Sequence, residues 1–256
     1  MTAQSEILSG KRLRAFVKCG QQPLRPRGGP RGLSLPRLDG LFNQGLSLPR
    51  LDQKLAKRLF DVVFSLLILI LFSPVYLFLA LLIALNSPGP VFYLQERVGK
   101  NHKTFGCIKF RTMVTNADEI LIELMETSPQ LRQEFEDNFK LKQDPRITKI
   151  GKFLRLTSLD EFPQFWNVLK GDMSVVGPRP LVAEELPRYG YHIDKILTIK
   201  PGITGLWQVS GRNDIPYNRR VQIDLYYVNA HNFWLDLWVI VKTIGVVVVP
   251  KNNGAY

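Results

Sequence analysis

The sequence predicts an α/β, membrane-associated fold: a re-entrant apolar helix hairpin, followed by a mixed cytoplasmic domain with interfacial amphipathic helices. Three observations predict it. From Val62 to Leu85, 24 residues run without a charge, long enough at about 1.5 Å per residue to cross a bilayer. Ser73-Pro74 falls in the middle of that run, and proline removes a helix hydrogen bond and clashes with the preceding turn. Beyond Asn86 the apolar residues change to short extended runs alternating with helix-spaced stripes.

The chain begins with an Arg/Pro/Gly-rich stretch, residues 1–53, that repeats Leu-Ser-Leu-Pro-Arg-Leu-Asp at 33–39 and 46–52. Such a segment buries too little apolar surface to offset its ordering entropy, so it reads as a disordered basic tail. A spacer is the favoured role, ahead of a basic arm on anionic lipid. The charge is uneven. Of the net +12, residues 1–58 carry +9, from 12 Lys/Arg against Glu6, Asp39 and Asp52, which leaves +3 for the remainder. A nearly neutral body without a basic stripe and interleaved aromatics argues against nucleic acid as a partner. No signal-peptide pattern opens the chain. Two cysteines, Cys19 and Cys107, make no disulfide framework. The three histidines lack zinc-ligand spacing, so any metal is expected to be a hard cation on oxygen.

Residues 54–86 form the predicted anchor, opened by Lys54, Lys57 and Arg58. Either the helix spans once, kinked at proline, or it breaks at Ser73-Pro74 and leaves by the face it entered. Basic residues precede the run, and Arg97, Lys100, Lys103, Lys109 and Arg111 follow it. The positive-inside rule then places both flanks in the cytoplasm, which only the hairpin satisfies. Residues 87–256 make the second domain. Asn86–Pro90 is a turn cluster, and Val91–Tyr93 and Phe105–Phe110 read as strands. Helical patches cover 115–139. Ile147, Ile150 and Leu154 share one stripe, with Lys149, Lys152 and Arg155 on another. Phe162, Phe165, Trp166 and Leu169 follow helical spacing with Gly171 as the stop. Residues 232–249, with Asp236 and Lys242 as their only charges, read as an interfacial helix or, equally, a buried one.

Two adjacent acids, Asp160 and Glu161, stand at a predicted helix start. Ser158 followed by Glu161 matches a capping box, which accounts for one acid better than for two. Gly177-Pro-Arg179-Pro180 presents an arginine between prolines, suited to phosphate or simply an extended turn. Lys109 and Arg111 share one side of a strand, and Asp144 and Arg146 form a mixed pair, with solvated faces and salt bridging as the plainer accounts.

In order along the chain come Lys57-Arg-Leu-Phe-Asp61, Ser87-Pro-Gly-Pro-Val-Phe-Tyr93, Gln95-Glu-Arg-Val-Gly99, Lys109-Phe-Arg-Thr-Met113, Asp144-Pro-Arg-Ile-Thr148, Ser158-Leu-Asp-Glu-Phe-Pro-Gln164, Asn167–Ser174 and Val176-Gly-Pro-Arg-Pro180. Together they resemble the bacterial sugar transferase family, the monotopic phosphoglycosyl transferases, from Lys57 to Tyr256. Lys200-Pro-Gly-Ile-Thr-Gly-Leu-Trp-Gln-Val-Ser-Gly-Arg212 is similar to the branch that starts exopolysaccharide, O-antigen or capsule units with a hexose. The resemblance implies a transferase that moves a hexose 1-phosphate from a UDP-hexose to undecaprenyl phosphate and releases UMP. It implies Asp160 as nucleophile, Glu161 (with Asp160) as a Mg²⁺ ligand, and Arg179, Lys109, Arg111, Arg97, Arg146 and Arg155 as substrate-binding residues. It places the protein in the bacterial inner membrane, against lipid, with its catalytic domain facing the cytoplasm. A homo-oligomer stays open. The alternative from another class is a membrane-tethered basic binding or scaffold protein without catalysis.

Overall fold

The computed structural model describes residues 50–138, 140–211 and 215–248. The expected disorder of the tail concerns residues that, up to 49, lie outside this range. Helix α1 (Arg50–Leu71) and helix α2 (Ser73–Asn86) follow one another with a bend of 62° at the predicted break. The break has a local cause. Ser73 Oγ donates to the Ile70 carbonyl at 2.8 Å, closing off the end of α1. Pro74 then occupies the first turn of α2, where its missing N–H costs nothing. No single described helix is long and apolar enough to cross a membrane, and the bent pair meets that test only together.

Strands β1 (Phe92–Val98) and β2 (Thr104–Phe110) form an antiparallel hairpin that pairs Tyr93 with Lys109 and Val98 with Thr104. It is longer than the sequence predicted at β1, because Gln95, Glu96 and Arg97 continue the ladder despite their polarity. Helices α3 (Ala117–Thr127) and α4 (Pro129–Asn138) split at Ser128, as Pro129 requires. Residues 118–141 belong to a separate compact unit. Its core is Leu121, Met125 and Leu141, with Leu124, Leu131 and Phe135 against them.

The larger unit continues with α5 (Lys149–Thr157), a single 3₁₀ turn (Leu159–Glu161), α6 (Gln164–Lys170) and β3 (Ser174–Val176). Short helices α7 (Leu186–Tyr189) and α8 (Ile193–Ile196) lead to β4 (Gly202–Thr204), which pairs in parallel with β3. Helices α9 (Tyr217–Ala230) and α10 (Phe233–Val248) complete the described chain. Glycine is required where β3 meets β4. A Cβ on Gly177 would strike the Lys200 carbonyl and the Gly202 amide, and one on Gly202 or Gly205 would strike Gly177.

One cluster centres on Val168, Met173, Val176, Tyr227 and Val239, and Phe60, Phe64 and Ile68 of α1 pack against it. A second joins Leu79 and Ile83 of α2 to Phe110 and Leu154. Each arm of the bent pair thus docks by one face. The other face leaves Leu67, Leu71, Leu77 and Leu85 mostly exposed. Helix α10 divides in the same way, burying Leu235, Val239 and Ile240 while exposing Phe233, Trp234 and Val241. Asp236 on its inner side receives Lys57 Nζ at 2.7 Å and the Tyr227 hydroxyl at 2.6 Å.

Candidate active site

Asp160 and Glu161 lie in the single 3₁₀ turn between α5 and α6. Ser158 ends α5 in the left-handed conformation (φ 59°), and its side chain makes no capping bond. The predicted capping box is therefore not formed: Ser158, in the left-handed region, precedes a single 3₁₀ turn instead of an α-helix. The two acids are left without a helix-capping task.

Both are half-buried, and cations surround them. Lys109 Nζ on β2 donates to Glu161 Oε1 at 2.7 Å. Arg155 on α5 sends Nε to Thr112 Oγ1 at 3.0 Å and lies within electrostatic reach of both acids. Arg179, held between buried Pro178 and Pro180, acts on Glu161 as well. The two carboxyls respond in opposite directions. Burial and the adjacent Glu161 charge raise Asp160 to about 6, against the pull of Lys109 and Arg155. For Glu161 burial also works upward, but Lys109, Arg179 and Arg97 outweigh it and hold the group down to about 2. Glu161 is thus a fixed anion, and Asp160 is a carboxylate more basic than usual.

The remaining predicted cations are directed elsewhere. Arg111 donates to the Ser87 and Pro88 carbonyls, both at 2.6 Å, and closes the turn that follows α2. Arg146 grips Asp144 in a two-pronged pair, Nε to Oδ1 at 2.8 Å and Nη2 to Oδ2 at 2.6 Å. Arg97, nearly fully buried, donates to the Pro180 carbonyl at 3.0 Å and to Gln95 Oε1 at 2.6 Å, bracing the segment that carries Arg179.

Several positioning groups were not singled out by the sequence. Asn167 Nδ2 donates to the Gly106 carbonyl at 2.8 Å, and its Oδ1 accepts the Ile108 amide at 2.9 Å. This ties α6 to β2 and sets Lys109 against the acids. Asn167 consequently turns inward and Trp166 outward, which corrects the predicted apolar stripe. A polar residue amid an apolar helix was the available signal. Tyr76, just past the Ser73-Pro74 break, donates its hydroxyl to the Phe162 carbonyl at 2.9 Å. Arg58 on α1 donates to the Val168 and Leu169 carbonyls at 2.6 and 2.8 Å, at the C-terminal end of α6. Both arms of the bent pair therefore hold the segment bearing the acids.

Among the described residues no three carboxylate, histidine or cysteine side chains converge into a closed metal cage. Two adjacent carboxylates do fit Mg²⁺, which keeps several waters and takes one or two carboxylates with substrate phosphates. The unfavourable ionisation of Asp160 is what a neighbouring cation would relieve.

Residues 52–250 match a family described as bacterial sugar transferase. An undecaprenyl-phosphate galactose phosphotransferase of Salmonella typhimurium is 51% identical over 203 residues, 79% of this chain and 42% of that one. A UDP-glucose:undecaprenyl-phosphate glucose-1-phosphate transferase of Klebsiella pneumoniae is 41% identical over 196 residues, covering 73% of this chain and 39% of its own. The chain thus spans less than half the length of those two relatives. The exopolysaccharide production protein ExoY of Sinorhizobium fredii is 43% identical over 199 residues, 78% of this chain and 88% of its own.

Proposed function

This chain belongs to the bacterial sugar transferase family, and from that premise we propose that it moves a hexose 1-phosphate from a UDP-hexose to a polyprenyl phosphate, releasing UMP. The observation that carries the reading is the Asp160–Glu161 pair beside Lys109, Arg155 and Arg179, with opposed ionisation of the two acids. The relatives named for galactose and for glucose make UDP-hexoses the first donors to test.

The chemistry runs in two displacements. Asp160, its carboxylate made more basic by burial, attacks the sugar-bearing phosphorus. The bond from that phosphorus to the bridging oxygen breaks, and UMP leaves with the oxygen. An oxygen of the lipid phosphate then attacks the same phosphorus, and the bond to Asp160 breaks, restoring the carboxylate. Splitting one hard displacement into two easier ones is the gain from a covalent nucleophile. Arg179 and Arg155 stabilise charge that spreads over the phosphoryl oxygens. Lys109 keeps Glu161 ionised and oriented. Glu161 and Asp160 would hold Mg²⁺, whose contribution when bound is neutralisation of the diphosphate.

The bent α1–α2 pair supports a re-entrant anchor that enters and leaves by the cytoplasmic face of the inner membrane. Its outward apolar face would sit in lipid, and Tyr76 and Arg58 would keep the acids at that interface, where a soluble donor meets a lipid acceptor.

The test is UMP release from a panel of UDP-hexoses with undecaprenyl phosphate and magnesium, comparing wild type with Asp160→Asn. The variant should release none at unchanged expression, and wild type incubated with labelled donor alone should trap label on protein. Wild-type turnover by Asp160→Asn would refute the reading and favour a non-catalytic scaffold.

A further inference from the structure

Against β3 the packed helices carry a buried network of charge that the proposed chemistry does not use. Asp61 on α1 and Asp236 on α10 are each 3% exposed. Lys57, one turn before Asp61, sets its Nζ 3.2 Å from Asp61 Oδ1 and 2.7 Å from Asp236 Oδ2. The Tyr227 hydroxyl on α9 lies 2.6 Å from Asp236 Oδ1 and 3.2 Å from the Val176 carbonyl. Asp61 Oδ1 also accepts the Val175 amide at 3.1 Å. Three helices thus reach two backbone groups of one short strand through their side chains.

The strand explains where these groups go. Among the described residues β3 pairs with β4 alone. The Ser174 amide donates to the Pro201 carbonyl at 2.8 Å, on the β4 side. Val175, next along, turns its N–H to the opposite edge, where Asp61 stands in for a further strand. Replacing a buried ion pair by apolar groups of similar volume is often neutral for stability, so stability alone does not account for this one. What the network supplies is direction. The chain from Val175 to Arg179 is stiff. Gly177 donates its amide to the Thr204 carbonyl at 2.9 Å, and the Pro178 carbonyl accepts the Gly202 amide at 2.8 Å. Pro178 and Pro180 fix φ on either side of Arg179, and Arg97 holds the Pro180 carbonyl at 3.0 Å. A displacement of Val175 is therefore passed on to Arg179.

We infer that Asp61 is a positioning residue for Arg179, held in place by Lys57, Asp236 and Tyr227. Through the edge of β3, α1 sets where that guanidinium meets the donor diphosphate. A planar guanidinium bonds two phosphate oxygens at once, and that geometry tolerates little displacement. The inference rests on the donor reading above. It adds that the seating of the proposed anchor helix and the grip on the donor phosphates are one unit.

The test is a double-mutant cycle in the full chain in lipid nanodiscs, pairing Asp61→Leu with Arg179→Gln. UDP affinity is read by calorimetry, and kcat/KM by UMP release from UDP-hexose. Arg179→Gln should weaken UDP binding. Asp61→Leu leaves the Val175 amide unpaired and should lower UDP affinity and kcat/KM by about tenfold or more, the scale of a misplaced contact group. Added to Arg179→Gln, it should lower them by less than about twofold further, because the group it positions is already gone. A residue that only stabilises the fold would cost the same factor in both backgrounds. Equal losses in the two backgrounds overturn the inference, as does wild-type UDP affinity in Asp61→Leu or in Arg179→Gln. If Asp61→Leu fails to fold, Tyr227→Phe removes one oxygen from the other end of the network. Its loss of UDP affinity should likewise vanish in the Arg179→Gln background, and a loss that persists there overturns the inference. In a chain that releases no UMP, coupled losses of UDP affinity would uphold the positioning while refuting the transfer reaction.

Discussion

Removing the Lys109 ammonium tests the electrostatics of the candidate site most directly. In Lys109→Met, Glu161 loses a partner at 2.7 Å, and Asp160 loses the first of the cations that oppose its raised pKa. Burial and the Glu161 charge raise Asp160 from 3.8 to about 6. If it must be ionised to attack, UMP release at saturating donor should follow its ionised fraction: about nine-tenths at pH 7, half at pH 6 and one-tenth at pH 5. An ordinary aspartate near 3.8 would hold the rate flat over that range. Taking away a cation favours the neutral acid, so the acid limb of Lys109→Met should move to higher pH, by about one unit. The sign is worked from the same charges for stability. Glu161, lowered when folded, contributes stability present above its unfolded pKa of 4.5 and lost as pH falls toward 2. Lys109→Met loses much of that contribution, and its melting temperature should be depressed more at pH 7 than at pH 3. The assay is UMP release from pH 5 to 8, with thermal melts of the same nanodisc preparation. An acid limb that stays put, or moves to lower pH, would refute the assignment of Lys109 and the role of Asp160 as the ionised nucleophile.

Three further outcomes follow from particular contacts. Arg58→Met removes two charge-assisted bonds to the end of α6, so unfolding of the α/β unit should become easier by about 2 kcal/mol or more; an unchanged denaturation midpoint would count against the clamp. Pro74→Leu restores the missing N–H at the bend, and cysteine labelling in intact and opened cells should find some molecules with the two ends of the anchor on opposite faces. Uniform same-face labelling of that variant would show that packing of α1 and α2, rather than proline, sets the bend. Asp224→Asn should melt above wild type at pH 9, with the difference shrinking toward pH 5. The folded-state pKa of about 8 means that ionisation opposes folding increasingly from pH 3.8 up to 8, and a difference independent of pH would disprove it.

The sequence by itself determined the elements governed by local rules. An uncharged run of 24 residues with Ser73-Pro74 inside it marked where the helix would kink or break, because the proline ring clashes with the preceding turn. Pro129 divided α3 from α4, and Gly171 (φ 94°) ended α6, for equally local reasons. Asp160 and Glu161 were legible as an adjacent pair, which capping explained for one acid better than for two, and the motifs around them carried the resemblance that implied their roles. What required the tertiary structure was the choice among cations. Lys109, Arg111, Arg97, Arg146, Arg155 and Arg179 read alike along the chain, yet Lys109 meets Glu161 while Arg111 and Arg146 are taken up by carbonyls and by Asp144. Partners 52 residues apart for Lys109 and 86 apart for Tyr76 come together only after the chain closes on itself. Periodicity assigns a residue to a face, but the charge it meets depends on which other face packs there. Asn167 shows this within one helix. Its amide satisfies two backbone groups of β2, and that requirement, absent from the hydrophobic pattern, turned Trp166 to the outside.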